Sequence, residues 1–157
     1  MADHKLDAGG FILQVHQYLN QYVQVGDAKA AALLAASGGA ALLAVPTATY
    51  PIQALHWLTV AVFGTAVIYC ALILYPRQSP GQKGLIYWEN VVSYPTDDEY
   101  ANAMSSKTPA QLEAEFAKQA WHLSLVLSKK YARLRIALAL FMYGSVLGLG
   151  DIITSHF

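Results

Sequence analysis

The sequence predicts an all-α membrane protein, with three transmembrane helices and a cytosolic helical bundle formed by extensions of the first and third spans. Three observations carry this. From Ala30 to Pro76 there is no Asp, Glu, Lys or Arg, and from Ile136 onward the only one is Asp151. The 10 Lys and Arg fall in two zones, Lys5–Lys29 and Arg77–Arg135. The chain is 55% hydrophobic and 13% charged, about half the charge of an ordinary soluble domain. An ionised group in hydrocarbon costs several kcal/mol, so charges are kept out of spans. Basic residues confined to alternate connections mark the cytosolic side.

The elements follow in order. Met1–Asp7 mixes both charge signs and leads into spaced rather than massed apolar positions, which is unlike a signal peptide. Neither end carries a lipidation motif. Phe11, Val15, Tyr18, Tyr22, Val25 and Lys29 recur every three or four residues, with Ile12, His16, Leu19 and Val23 as a neighbouring row. That broad stripe predicts a cytosolic helix over 9–29 running into a first span at 30–45, with Gly26 its only breaker.

The charge-free stretch is too long for one span of about 20 residues. Pro46-Thr-Ala-Thr-Tyr-Pro51 divides it, because two prolines end one helix and begin another. A second span occupies 54–75 and stops at Pro76-Arg77. Residues 77–135 form the cytosolic segment. Gln78 to Gly84 reads as a loop, and Leu85 to Tyr94 is apolar and aromatic without a decided state. Thr96-Asp-Asp-Glu99 is a capping box opening a short helix through Met104. Thr108-Pro-Ala-Gln111 is another, with proline at the first helical position. After it Leu112, Phe116, Gln119, Leu123, Val126 and Lys130 form a second stripe, uninterrupted by glycine or proline until Gly144. One helix therefore runs from Pro109 into a third span at 136–153, about 65 Å at 1.5 Å per residue. The two stripes can pack in parallel, within or between subunits. Length allows one domain, 1–157. The positive-inside rule places the N-terminus inside and the C-terminus outside.

Catalytic chemistry is not expected. The five histidines, 4, 16, 56, 122 and 156, are scattered, and no metal-spaced cluster, phosphate loop or nucleophile motif occurs. Cys70, the single cysteine, lies in an apolar block, so a disulfide and a cysteine metal site are both excluded. His122 beside Trp121 reads as a helix-surface or bundle-interior histidine, and Asp97, Asp98 and Glu99 as first-turn acids favoured by the helix dipole. No cofactor, metal or nucleic-acid polymer is expected. The spans hold no midplane charge of the kind a transporter keeps. They do hold small residues at helical spacing: Ala28, Ala32 and Ala36; Ala31, Ala35 and Gly39; and Gly144-Ser-Val-Leu-Gly148. Gly144, Gly148, Ala35 and Gly39 are candidate oligomer contacts, with packing inside one three-helix subunit equally compatible.

Asp27, Lys29, Arg77, Lys129, Lys130, Arg133 and Arg135 gather at the inner interface. They serve as topology anchors against lipid phosphates, or as an anion pocket in which Lys29, Lys130 and Arg133 meet a phosphate. Tyr87, Trp88, Tyr94 and Tyr100 either cover the long helices or stack a nucleobase.

Several stretches, taken in order, resemble a known family. They are Tyr22-x4-Asp27-Ala-Lys-Ala30, Pro76-Arg77, Leu85-Ile-Tyr-Trp88, Tyr94-Pro-Thr-Asp-Asp-Glu-Tyr100 and Ser128-Lys-Lys-Tyr-x2-Leu134-Arg135. Over roughly residues 11–150 this order is similar to the transmembrane effector domain of Pycsar antiphage systems. The resemblance implies a multi-pass effector of the bacterial inner membrane, oligomerising to permeabilise or depolarise it on a cyclic pyrimidine nucleotide signal. Some relatives append a further domain such as a phosphohydrolase. This sequence shows none, so a sensing site would lie within 1–29 and 77–135, with Lys29, Lys130, Arg133, Tyr87 and Trp88 as candidates. The rival expectation is a membrane anchor that recruits a cytosolic partner and forms no pore.

Overall fold

A computed structural model of the chain describes residues 8–44, 53–75 and 84–155. The helices are α1 (Ala8–Ala44), α2 (Gln53–Leu74), α3 (Trp88–Val91), α4 (Asp97–Ser105) and α5 (Pro109–Ser155). No strand occurs among the described residues. α1, α2 and α5 are each long and apolar enough to cross a membrane. The expected Pro46–Pro51 turn, the Pro76-Arg77 stop and the loop up to Lys83 lie outside the described residues.

Helix boundaries follow the sequence signals. The Thr96 side chain accepts from Glu99 N at 3.2 Å to open α4. At Thr108 both halves of the capping box form: Thr108 N donates to Gln111 Oε1 at 2.9 Å, and Gln111 N to Thr108 Oγ1 at 3.3 Å. Gly26 does not break α1.

The described residues divide into two compact units, and α1 and α5 each contribute a part to both. The first takes α1 through Val23, α3, α4 and α5 through Leu127. Here the row Ile12, His16, Leu19 and Val23 is half-buried, with the His16 ring edge-on to Phe116 at 5.8 Å. The adjacent row is largely exposed, Phe11 and Tyr18 each 57%. Tyr18 donates to the Tyr22 hydroxyl at 2.9 Å. That bond, and repulsion from a neighbouring phenolate, hold the Tyr18 phenol above its ordinary value. The Tyr87 carbonyl accepts from both Asn90 N and Val91 N at 2.9 Å, which winds the single turn of α3. Tyr100 Oη donates to Leu85 O at 2.9 Å over the buried Leu85 side chain.

The second unit takes α1 from Gln24, α2, and α5 from Ser128. Its core joins Leu33, Cys70 and Ala137, flanked by Leu34, Tyr69, Leu134 and Phe141. Lipid offers side chains as apolar a partner as the protein does, so packing here rests on close van der Waals contact. Phe63 fills the closest approach. Its ring meets Phe141 at 5.8 Å, and a Cβ at Gly144 would come within 3.0 Å of it.

Candidate functional site

Polar side chains tie the second unit together at two levels. At the first, Lys130 Nζ on α5 donates to Asp27 Oδ1 on α1 at 2.6 Å, half-buried. One turn further along α5, Arg133 Nη1 donates to Leu72 O at 3.2 Å. Leu72 lies in the last turn of α2, where carbonyls lack helical partners and a cation is favoured. Three helices are thus joined by two basic side chains of α5. Lys29, also on α1, is exposed and has no ion-pair or hydrogen-bond partner among the described residues.

The second level lies near the start of α2 and the end of α5. His56 Nδ1 and Asp151 Oδ2 meet at 2.9 Å, with His56 2% and Asp151 6% exposed. A carboxylate only accepts, so the imidazole proton sits on Nδ1. Protonated, the pair is an ion pair; neutral, it is a charge-assisted hydrogen bond. The other carboxylate oxygen, Oδ1, is buried with no hydrogen-bond partner among the described residues. Along α5, Lys130 and Asp151 are separated by about 30 Å at 1.5 Å per residue. That is the thickness of a hydrocarbon core. The two levels are therefore as far apart as its two boundaries.

Thr59, Thr65 and Ser145 turn their hydroxyls onto carbonyls of their own helices, Leu55 O at 3.0 Å, Ala61 O at 2.7 Å and Phe141 O at 2.8 Å. The Ser37 hydroxyl is buried with no partner among the described residues.

The candidates named from sequence divide between the units. Lys29, Lys130 and Arg133 belong to the second; Tyr87 and Trp88 belong to the first. Tyr87 is half-buried beside α3 and Trp88 begins that helix. Tyr94 packs edge-on to Tyr100 at 5.4 Å. His122 is on the surface of α5 against Trp121, ring centres 5.0 Å apart. Asp97, Asp98 and Glu99 form the exposed first turn of α4. No group of three or more His, Cys, Asp or Glu among the described residues is arranged to hold a metal ion.

For the small residues, two compatible readings separate. Gly144 is buried against Phe63 and Gly148 lies over Thr59, so this pair packs α5 on α2 within one chain. Gly39 has open space where a side chain would be, and Ala35 is exposed. Sequence reasoning missed the His56–Asp151 pair. Its one signal was Asp151, the lone charge in an otherwise uncharged segment.

Among known proteins, residues 11–154 match the family model described as the Pycsar effector protein domain. No curated protein matches the chain, and no solved structure does.

Proposed function

Because the chain belongs to the Pycsar effector protein domain family, with a role in antiphage defence, we propose that it assembles in the bacterial inner membrane. On a cyclic nucleotide signal the assembly permeabilises or depolarises that membrane, and no catalysis by this chain is involved. The observation that carries the reading is the match over nearly the whole chain, on a protein with three helices able to span a bilayer. The packing of the second unit supports assembly, since the hydroxyls of Thr59, Thr65 and Ser145 bond to their own helices and are not turned toward a polar path. A route for ions then needs a second copy or a changed packing of the three helices. Ala35 and Gly39 are the small residues left open for such a copy.

The level of Lys130 and Arg133 is where a signal would act. A phosphate of a cyclic pyrimidine nucleotide competes with the Asp27 carboxylate for Lys130 and with the Leu72 carbonyl for Arg133. Either exchange loosens a tie between helices, and a ligand that binds the loosened state better shifts the population toward it. Lys29 is the third cation of the group. Tyr87 and Trp88 are the alternative locus, where a base would stack.

Reconstituted into liposomes, the protein should release an entrapped dye when cyclic pyrimidine nucleotides are added. Lys130→Gln with Arg133→Gln should insert normally yet lose the response. Leakage that ignores every nucleotide would remove the signal from this reading. A retained response in the double variant would move the site to Tyr87 and Trp88. A partner-recruiting anchor is the rival, favoured by the exposed row Phe11, Tyr18, Tyr22 and Val25 on α1. It requires no leakage under any condition.

A further inference from the structure

An open groove of about 380 Å³ runs between α1 and α5 within the second unit, lined by Lys29, Ala32, Leu33, Ala36, Leu134 and Leu138. That volume suits a small-molecule ligand. All the lining side chains but one are aliphatic, and the exception stands at one end. On α1 the lining positions run from 29 to 36, so hydrocarbon walls extend about 10 Å from the lysine at 1.5 Å per residue. The lysine is exposed and has no acidic partner among the described residues. Asp27, two positions away, is held by Lys130 at 2.6 Å. The groove thus combines an uncompensated cation at its mouth with an apolar trough behind.

We infer that this groove binds an anionic phospholipid, with the headgroup phosphate on Lys29 and one acyl chain along Ala32, Leu33, Ala36, Leu134 and Leu138. Charge complementarity and wall chemistry select this occupant. A nucleotide finds no aromatic face and no hydrogen-bonding side chain along these walls. A second copy related by an axis along the bilayer normal brings its own Lys29 to the same depth, where like charges repel. A phospholipid satisfies both ends. Its phosphate meets a cation at headgroup depth, and the four-carbon lysine stem follows the chain. With the basic zones on the cytosolic side, Lys29 faces the leaflet that carries a negative surface potential. The site needs only membrane insertion; it shares Lys29 with the cation group above but neither Lys130 nor Arg133.

The full chain, purified in mild detergent, is titrated with phosphatidylglycerol or with phosphatidylcholine of matched acyl chains, and retained lipid is counted by native mass spectrometry. Phosphatidylglycerol should be preferred about fivefold, the equivalent of roughly 1 kcal/mol for one basic residue near an anionic surface. Lys29→Gln should bring the ratio near one, and Ala36→Phe, filling the trough, should reduce retention of both lipids. Lys129→Gln, on an exposed lysine outside the groove, should leave the preference intact. The inference fails if Lys29→Gln keeps the preference, or if Lys129→Gln abolishes it as fully. Displacement of the lipid by a nucleoside monophosphate would assign Lys29 to a soluble anion and overturn the proposal. A lipid-free oligomer that Ala36→Phe dissociates would give the groove to a second copy and do the same. None of these outcomes depends on leakage or toxicity, so failure here leaves the proposed function standing.

Discussion

Replacing one member of the His56–Asp151 pair should be far more damaging than replacing both. With the imidazole protonated, two unit charges would stand 2.9 Å apart and attract by about 6 kcal/mol at an effective dielectric of 20. Withdrawing both groups from water cancels most of that. What survives in a single variant is the penalty of a buried polar group that has lost this contact. His56→Leu strands a carboxylate whose second oxygen already lacks a hydrogen bond among the described residues, at a cost of about 3 kcal/mol. Asp151→Leu removes the carboxylate that faces Nδ1 of the buried imidazole, for about 2 kcal/mol. The double variant replaces the pair by apolar side chains and should lose no more than about 2 kcal/mol, leaving a coupling of about 3 kcal/mol. Unfolding by SDS in mixed micelles, followed by circular dichroism, reads all four corners of the cycle. Ordinary hydrogen bonds between membrane helices couple by about 0.6 kcal/mol on average. A coupling at or below that value, with additive single losses, would show that the pair is not held dry and would refute the argument.

Gly144→Leu should destabilise the packing of α2 on α5 by about 1–3 kcal/mol, because its side chain would enter the Phe63 ring; an unchanged melting curve would show that α2 does not approach there. Gly39→Leu meets open space, so it should leave melting alone and lower the oligomer fraction in mild detergent, and an intact oligomer would take this face of α1 out of the seam. Asp27→Asn should cost only about 1 kcal/mol, since its carboxylate is more than one-third exposed and solvent screens it; a loss near that of His56→Leu would mean the tie is fully desolvated. Reporter fusions should place Lys107 in the cytosol and Ser155 outside, and a cytosolic Ser155 would remove the third crossing.

The long helices were legible because their signals are local. Charge exclusion marks the spans, the Thr108 capping box starts α5, and unbroken spacing carries it to the end. Choosing which α1 row packs was not legible, because two adjacent rows are both apolar and spacing ranks them equally. Burial selects the His16 row and leaves the Phe11 row exposed. The turn of α3 escaped notice because it rests on two bonds to one carbonyl, that of Tyr87. His56 and Asp151 lie 95 positions apart. No periodicity relates such residues; only the antiparallel packing of α2 and α5 brings them together. Taken alone, His56 is one of five scattered histidines and Asp151 the lone charge of its segment. The GxxxG pattern was equally ambiguous, since close approach to a helix of the same chain needs the same glycines as approach to another copy.

The distribution of polar contacts constrains how the second unit can change state. Its middle is held by shape, with Phe63 seated on Gly144 and Leu33, Cys70 and Ala137 in contact. Water or a charged ligand finds few partners there, because the Thr59, Thr65 and Ser145 hydroxyls are already bonded to carbonyls of their own helices. The ends are held by chemistry that an ion or a proton can answer: Asp27 with Lys130, Arg133 with the Leu72 carbonyl, and His56 with Asp151. A signal acting on this unit therefore has its leverage at the boundaries. Loosening only the Lys130 level leaves the helices pinned about 30 Å away by His56 and Asp151. Under the proposed function, the opening expected from these contacts is a hinge about that buried pair. The same logic orders the variants: those at Lys130 and Arg133 alter the response while the fold persists, whereas those at His56 or Asp151 remove the pivot and lower stability first.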